Sequence, residues 1–398
     1  MSRSKNILFL SHYFPPEVNA PANRTFEHAK IWIDNGVNLT VITNNPHHPR
    51  GEIFPGYENR NNVEMIEGIT VVRVSAYVTA NSGFSKRILN YILFMLRAIW
   101  YGRNFKNIDL IYATSPQFFC GIAGAILSKI LGKPFILEIR DIWPESIISV
   151  GILKNGIIIR ALEGLEKWMV HCADGVVVVT EGIERHIRAL GYNQVTMVPN
   201  GVLLSKFRIN PKPTKGEMIV VAYFGTIGMA HNVENIVEAA RHLKDVQNIK
   251  FIIAGDGSER ENIRRLCLDL DNVTLYPLLS RKELLLLFDE IDVGIVSLKD
   301  NKLFQGALPS KMFEYLAMGK PVILSLPEGE ATQLIMKNNC GVIIQPENDT
   351  DLVHAIKQYA DDPKLMQLHG FNGRNMVEEK FNREQLALEL LNAVFPNK

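Results

Sequence analysis

Short hydrophobic runs alternate along the chain with longer amphipathic stretches, and this alternation is the first indication of the fold. In the first half the runs are KNILFLS, LTVIT, TVVRVSA, LIYAT, PFILEI and GVVVVT. Each is short and rich in β-branched residues, which favours a strand. Helical patterns separate several of them, as at residues 24–35 and 119–131. This arrangement predicts a parallel, doubly wound α/β sheet.

A second series of the same kind occupies the other half. Its runs are IVVAYFG, KFIIAGDG, VTLYPL, DVGIVSL, KPVILSL and CGVIIQP, with helical patterns at 232–245, 258–269, 281–290 and 310–318. We therefore expect two Rossmann-like domains, residues 1–207 and 218–378, joined by the polar, proline-containing linker 208–217. Residues 379–398 are expected to form a C-terminal helix that packs back on the N-terminal domain.

Composition and charge agree with a two-domain globular protein. The chain has 398 residues, of which 47% are hydrophobic and 21% charged, enough for two hydrophobic cores. The net charge is only +1, but residues 1–200 hold 20 Lys and Arg against 16 Asp and Glu. Four cysteines lack CxxC spacing, and no apolar run is long enough for a signal peptide or a membrane span. These features predict a cytoplasmic location.

The loops after the strands bear on ligand binding. The segment HYFPPEVNAPANR after the first strand contains no glycine, so the GxGxxG pyrophosphate turn of nicotinamide-dependent enzymes is absent. In the second half, Gly225 and Gly228 in FGTIGMA and Gly255 and Gly257 in AGDGSER follow strands directly. Such loops are typical both of anion binding and of simple turns.

The segment LPSKMFEYLAMGKPV, residues 308–322, places an acid within an apolar helix. Ser310 is the predicted N-cap, and Lys311 adds positive charge beside the first-turn amides. This end of the helix is suited to a diphosphate. Glu314 follows one turn later, where its carboxylate could accept hydrogen bonds from a ribose diol or, alternatively, simply face solvent.

Several linked motifs resemble the family-4 retaining glycosyltransferases, which have the GT-B fold of two Rossmann-like domains facing across a cleft. FGTIGMAHNVENIVEAA, FIIAGDGSERENI and LPSKMFEYLAMGKPVI are similar, in this order, to the nucleotide-sugar domain of that family. YFPPE with Arg24, NNPHHPRGEIFPGY and LEIRDIWPES resemble its bacterial WbuB-like subgroup, whose members include L-fucosamine transferase. The resemblance covers nearly the whole chain.

The resemblance implies roles for individual residues. Glu314 matches the second glutamate of the family's E-x7-E motif, which binds the ribose of the donor nucleotide. Ser310 and Lys311 match positions that hold its diphosphate. The remaining donor-binding matches are the loop Gly225, Thr226, Ile227 and Gly228, and Leu279 at the nucleobase. Arg140 and Asp141 match the catalytic segment that faces the sugar and the acceptor, although they could also form only a local ion pair.

The chain departs from the family pattern at several positions. Gly306, beside Gln305, stands where the first glutamate of E-x7-E contacts the donor sugar. The family's basic pair after the first strand of the second domain falls near Thr226 and His231. Lys311 and Arg281 are candidates for the missing charge. Further possible donor or acceptor contacts are His231, Gln305 and Arg24, the last of these to an acceptor phosphate.

The resemblance implies a retaining, front-face substitution in which the leaving diphosphate takes the acceptor's proton. The products would be bacterial O-antigen or capsule glycans, made from a UDP-linked N-acetylated amino sugar. The DLD sequence at 269–271 has the aspartate spacing of metal-dependent transferases but is read as a solvated turn. No metal, cofactor or nucleic-acid partner is expected. Two alternatives are a GT-B sugar-nucleotide epimerase and a non-catalytic nucleotide-sugar binding protein.

Residues 84–106 contain five Lys or Arg and no acid. A helical projection places Lys86, Asn90, Arg97 and Asn104 in one narrow stripe, with apolar residues around most of the remainder. An ordinary core helix would explain the apolar residues. The one-sided charge instead favours an anionic membrane surface, which predicts peripheral attachment to the cytoplasmic leaflet and a lipid-linked acceptor. The family resemblance implies that this acceptor is a polyprenyl-diphosphate-linked sugar.

Overall fold

The computed structural model describes residues 5–48, 51–78, 84–149, 155–209 and 218–395. The chain divides into two compact units, Met1–Pro199 with Glu384–Lys398, and Asn200–Arg383. Each unit is an α/β structure built on one sheet, as the hydrophobic runs predict.

Strands and helices alternate in both units. The strands are β1 (Lys5–Leu10), β2 (Val37–Asn44), β3 (Asn62–Ile66), β4 (Ile69–Val74), β5 (Leu110–Thr114), β6 (Phe135–Ile139), β7 (Gly175–Val178), β8 (Val195–Met197), β9 (Ile219–Phe224), β10 (Ile249–Ala254), β11 (Val273–Tyr276), β12 (Val293–Ser297), β13 (Val322–Ser325) and β14 (Gly341–Ile344). The helices are α1 (Ala20–Asp34), α2 (Phe84–Gly102), α3 (Phe118–Leu131), α4 (Glu145–Ser149), α5 (Gly156–Cys172), α6 (Glu181–Ala189), α7 (Val233–His242), α8 (Arg260–Leu266), α9 (Arg281–Glu290), α10 (Ser310–Ala317), α11 (Glu330–Asn338), α12 (Asp349–Asp361), α13 (Pro363–Lys380) and α14 (Arg383–Val394). None of the described helices is both long and apolar enough to span a bilayer.

The boundary between the units lies earlier than the expected position at residue 207. Residues just after Pro199 pack within the second unit: the Val202 N–H donates to the Phe381 carbonyl over 3.0 Å, and the Phe207 ring lies 5.9 Å from that of Phe288. These contacts, and not local polarity, decide the division. Residues 210–217, most of the predicted linker, lie outside the described residues.

The C-terminal segment belongs to the first unit. Its helix α14 begins at Arg383, a few residues after the expected start at 379. The indole N–H of Trp32 on α1 donates to the Ala387 carbonyl over 2.8 Å. Because Trp32 is fully buried, this bond satisfies an indole donor that would otherwise be costly in the interior.

The first sheet has the order β3-β4-β2-β1-β5-β6-β7-β8. All neighbours are parallel except β3 and β4, which form an antiparallel hairpin. The hydrophobic pattern does not reveal β3, because Val63 and Met65 are exposed at the sheet edge. The carboxyl ends of β1 and β5 flank the point where the strand order reverses, which is where ligands bind in such sheets.

The second sheet is entirely parallel, with the order β11-β10-β9-β12-β13-β14. Alternate residues of β9 enter the two hydrophobic clusters on its faces: Val221 and Tyr223 on one side, Ala222 and Phe224 on the other. The chain runs outward from β9 to β11 and then crosses to β12 on the opposite side of β9. The reversal between β9 and β12 is therefore the expected ligand position of this unit.

Candidate functional site

Two loops meet at the reversal point of the second sheet. One follows β9 and begins at Gly225, and the other follows β12 and leads through a short 3₁₀ turn to α10. They are joined by a hydrogen bond of 2.9 Å from the Lys299 N–H to the Ala230 carbonyl. The amino terminus of α10 therefore lies at the same edge as the loop after β9.

The phase of α10 is set by its apolar residues. Met312, Phe313, Tyr315 and Leu316 are all fully buried. The Tyr315 hydroxyl accepts from the Phe224 N–H over 2.8 Å and donates to the Ala222 carbonyl over 3.2 Å, which holds the helix against β9. The same phase leaves Lys311 and Glu314 less buried, on the other face of the helix.

Ser310 is not the N-cap of α10. The helix begins at Ser310 itself, and Pro309 occupies the cap position without a side-chain cap bond. Proline presets the extended backbone that a cap residue needs, so the helix starts one residue earlier than a serine cap would imply. Ser310 remains at the helix terminus where the resemblance places it.

Lys311 lies over the first glycine of the loop after β9. Its ammonium donates to the Tyr223 hydroxyl over 3.0 Å and lies 4.1 Å from the Tyr223 ring centre. A Cβ atom on Gly225 would come within 2.9 Å of Nζ, and Gly225 has a φ of +138°, so a side chain here would be both strained and crowded. Burial lowers the pKa of Lys311 to about 7, although the charge of Glu314 acts in the opposite direction.

Glu314 accepts a hydrogen bond of 2.8 Å from the Arg281 guanidinium. Arg281 is the first residue of α9, which begins with a capping box between Ser280 and Glu283. Both partners of the Arg281–Glu314 pair remain partly exposed, so a polar ligand can reach the carboxylate. Leu279, half-buried, comes just before the cap.

The second glycine pair has a structural purpose. A Cβ on Gly255 would lie 1.8 Å from the Gly225 carbonyl, and one on Gly257 would lie 2.3 Å from the Ile227 carbonyl. Both glycines therefore permit close packing of the two loops.

Ile227 also acts within the loop. Its side chain is fully buried, its N–H donates to the Asp256 carbonyl over 2.9 Å, and its carbonyl accepts from the Glu259 N–H over 3.0 Å. With side chain and backbone both engaged, Ile227 shapes the loop. Thr226 is exposed and Gly228 half-buried, so these neighbours are the ones that a ligand can reach.

His231 closes the loop on the same side as Lys311. Its N–H donates to the Gly228 carbonyl over 2.9 Å, and its Nδ1 is buried without a hydrogen-bond partner among the described residues. Burial and the nearby charge of Lys311 lower the pKa of His231 to about 4. The imidazole is therefore neutral near pH 7, and its Nδ1 can bond to a ligand.

Arg140 and Asp141 lie at the corresponding edge of the first sheet. They follow β6 directly, and the Arg140 N–H donates to the Ser115 hydroxyl over 2.7 Å. Ser115 follows β5, one of the two strands at the reversal point of this sheet. The structure thus places both predicted catalytic residues at the carboxyl edge of the first sheet, beside the strand β5 that borders its reversal point.

Arg24 does not face a ligand, contrary to the sequence-based expectation. Its side chain is 1% exposed and donates to the Glu138 carboxylate over 2.9 and 3.0 Å and to the carbonyls of Val198 and Pro199. Thr114 donates to the other Glu138 oxygen over 2.5 Å. Burial alone would raise the pKa of Glu138, but the charges of Arg24 and Arg140 hold it below its usual value.

The loop after β1 contains a polar group that the sequence analysis did not single out. Glu17 is buried and accepts from the backbone N–H groups of His47 and His48 over 3.0 and 2.9 Å. Burial raises the pKa of Glu17, and the two backbone bonds oppose this. In the sequence, the feature that could have pointed to Glu17 is that it is the single acid in the apolar segment YFPPEV. Its bonds pin the loops after β1 and β2 to each other.

The first aspartate of the DLD sequence lies at the protein surface. Asp269 forms an ion pair of 2.5 Å with Arg241 at the surface. Among the described residues, no group of three or more His, Cys, Asp or Glu side chains is placed to hold a metal ion.

Comparisons with known proteins agree with this division of the chain. Residues 19–201 match the model of the "Glycosyl transferase 4-like domain", and residues 205–376 match "Glycosyl transferases group 1". The chain is 24% identical over 413 residues to the "Putative colanic acid biosynthesis glycosyl transferase WcaI" of Escherichia coli K12, covering 98% of this chain and 99% of the relative.

Solved structures share the fold over almost the whole chain. Sucrose-phosphate synthase from Thermosynechococcus elongatus matches with a TM-score of 0.78 at 18% identity, over 98% of both chains. Anabaena Alr3699/HepE in complex with UDP-glucose matches with a TM-score of 0.68 at 15% identity, over 98% of this chain and 99% of the other.

Proposed function

The chain belongs to the glycosyltransferases whose 4-like and group 1 domains match its two halves, and on this premise we propose that it transfers a sugar from a nucleotide-sugar donor to a lipid-linked acceptor. The donor would be a UDP-linked N-acetylated amino sugar and the product a bacterial surface polysaccharide. The name of WcaI, which concerns colanic acid, supports the polysaccharide product, and the UDP-glucose in HepE supports a UDP-linked donor. The WbuB-like subgroup stays a prediction.

The observation that carries the proposal is the pairing of Lys311 with Glu314 at the reversal point of the second sheet. An ammonium over the glycine of a β-strand loop, beside a helix amino terminus, is suited to a diphosphate. Glu314 lies one turn further along the same helix and can accept hydrogen bonds from the ribose diol, with Arg281 orienting its carboxylate.

The reaction would be a retaining, metal-independent substitution. The donor diphosphate leaves from the face that the acceptor hydroxyl attacks, and the leaving phosphate takes the hydroxyl proton. The protein then needs positioned donors on the diphosphate more than a nucleophile of its own. Lys311, the amides of α10 and neutral His231 are the groups assigned to this work, and Arg140 and Asp141 are assigned to the sugar and the acceptor.

Transfer activity tests this function directly. The enzyme is incubated with UDP-, GDP- and dTDP-sugars, with and without a polyprenyl-diphosphate-linked sugar and with EDTA, and products are followed by mass spectrometry. We expect a glycosylated lipid whose amount EDTA does not reduce, with retained anomeric configuration by NMR. An epimerised donor formed without acceptor would favour the epimerase, and donor binding without any product would favour the non-catalytic protein.

A further part of the proposal is that α2 holds the enzyme on the inner face of the plasma membrane. The helix exposes Leu89, Leu96 and Trp100 at 43%, 53% and 59%, at the seven- and four-residue spacings of one helix face. Lys86 and Arg103 are exposed at the two ends of this stripe. The Arg103 guanidinium lies 3.6 Å from the Trp100 ring centre.

The two middle residues of the polar stripe expected from the helical projection face the other way, whereas Lys86 and Asn104 at its ends are exposed. Asn90 is buried and donates to the His47 ring over 3.2 Å, and Arg97 donates to the Ser75 carbonyl. Asn90 and Arg97 are used inside the unit, and Leu89, Leu96 and Trp100 are left outside. Exposed apolar side chains between basic ones, on a helix without acids, suit an anionic lipid surface.

Flotation with vesicles tests the membrane assignment. The parent should float with phosphatidylglycerol-containing vesicles, and substituting Lys86 and Arg103 by Gln with Trp100 by Ser should reduce the floating fraction severalfold, because charge and apolar contact are both lost. The matched control substitutes Lys244 and Lys337, exposed residues of the second unit, by Gln. Equal flotation of both variants would contradict the assignment to α2.

A further inference from the structure

A carboxylate from another helix lies beside Gly306. If residue 306 carried a Cβ atom, a single heavy atom among the described residues would lie within 4 Å of it. That atom is the Glu330 Oε1, at 3.9 Å. The φ of Gly306 lies outside the left-handed region, so the backbone could accept a side chain. What occupies the space beside this glycine is the acid of residue 330.

Backbone contacts fix this position of Glu330. Its N–H donates to the Gln305 carbonyl over 2.8 Å, and Gln305 itself is exposed. A Cβ on Gly329 would lie 1.9 Å from the Gln305 carbonyl oxygen, so only glycine permits this approach. The Gly329 N–H also bonds to the Thr332 hydroxyl over 2.9 Å. The start of α11 is therefore fastened to the segment that leads into α10.

The sheet order gives the direction in which Glu330 lies. Arg281 begins the helix after β11, Lys311 belongs to the helix after β12, and Glu330 begins the helix after β13. Because these strands are parallel, all three residues lie at the same sheet edge. Along that edge Arg281 and Glu330 are on opposite sides of the reversal point where Lys311 lies.

This order corresponds to the order of groups in a nucleotide-sugar. With the diphosphate at Lys311 and the ribose at the Glu314–Arg281 pair, the sugar extends from the other end of the diphosphate, toward β13. Sugar hydroxyls are hydrogen-bond donors, and a carboxylate is the strongest acceptor that a side chain can offer them.

We propose that Glu330 binds hydroxyl groups of the transferred sugar, so that α11 supplies at the donor pocket the carboxylate that Gly306 lacks. The inference rests on the proposed function, since it requires a nucleotide-sugar as ligand. Glu330 would then contribute to specificity for the sugar. It would not affect binding of the nucleoside diphosphate alone.

Calorimetry with two ligands tests this role. The sugar nucleotide is the tightest-binding member of a panel of UDP-, GDP- and dTDP-sugars, and the second ligand is its free nucleoside diphosphate. Glu330→Gln should weaken binding of the sugar nucleotide about tenfold or more and leave the affinity for the nucleoside diphosphate unchanged. If Glu330 had a purely structural role, the substitution would weaken the binding of both ligands alike or lower the melting temperature of the protein.

Two further variants sharpen the test. Glu328→Gln changes an exposed acid of the same loop and should alter neither affinity. Gly306→Glu combined with Glu330→Gln returns a carboxylate to the same space and should recover most of the lost sugar-nucleotide affinity. Full sugar-nucleotide affinity in Glu330→Gln would overturn the proposal for Glu330 alone, whereas a parent that binds no nucleotide would overturn the proposed function as well.

Discussion

Substituting Lys311 by Met is expected to reduce sugar transfer by roughly two orders of magnitude, the effect of removing about 3 kcal/mol of stabilisation from a developing negative charge. Lys311 is the basic side chain placed over Gly225, with its ammonium fixed by the Tyr223 hydroxyl. Met fills similar volume without charge, so the fold should persist. The measurement is kcat/KM with the preferred donor, together with the donor Kd.

The pH dependence gives this prediction a second readout. The pKa of Lys311 is lowered to about 7, so in the free protein the side chain is mainly charged at pH 6 and mainly neutral at pH 8. The diphosphate of a nucleotide-sugar stays ionised over this range and binds the charged form. Donor affinity of the parent should therefore fall about tenfold from pH 6 to pH 8, with proton uptake on binding, and the Met variant should lack this slope.

Lys337, exposed near the end of α11, provides the control, and Lys337→Met should change neither kinetics nor the pH profile. A Lys311→Met variant whose donor Kd and pH profile match the parent would show that the diphosphate lies elsewhere.

Substituting Arg24 by Met is expected to lower the free energy of unfolding of the first unit by about 3 to 5 kcal/mol, because it leaves the Glu138 carboxylate buried without its main partner. Both side chains are almost completely inaccessible. The urea midpoint of the first unit, followed by tryptophan fluorescence, measures the loss. Adding Glu138→Leu should recover part of it, since an apolar pair avoids the isolated charge.

The sign of the pH effect separates this mechanism from simple loss of packing. In the parent, the lowered pKa of Glu138 contributes stability above its unfolded pKa, and this is lost as pH falls through the folded value. Without Arg24, burial should raise that pKa, so the stability gap between variant and parent should narrow from pH 7 toward pH 5. Arg60→Met, at an exposed pair with Glu58, should cost little at any pH. A stable Arg24 variant that has lost only acceptor binding would restore the original expectation.

The local hydrophobic pattern was sufficient to predict the strands of the second unit. All six were found because each reads as a short apolar run, and the inner strands are buried on both faces, as Val221 to Phe224 show. The hairpin strand β3 was missed, since its exposed Val63 and Met65 alternate with polar residues at a sheet edge. The sequence analysis placed the boundary between the units at residue 207 and not near residue 200. Polarity was used to place it, but long-range contacts such as that of Val202 with Phe381 decide the division.

The sequence by itself determined the α/β class, the two sheets and the segment around Lys311 and Glu314, because hydrophobic period and local motif are properties of neighbouring residues. Only the tertiary structure decided which side chains face a ligand. Arg24 is equally basic whether it meets a phosphate or the buried Glu138, and the polar stripe of α2 gives no sign of which side the unit covers. Glu330 lies beside Gly306 because β12 and β13 are neighbours in the sheet, and such proximity between residues far apart in the chain exists only once the strands pair.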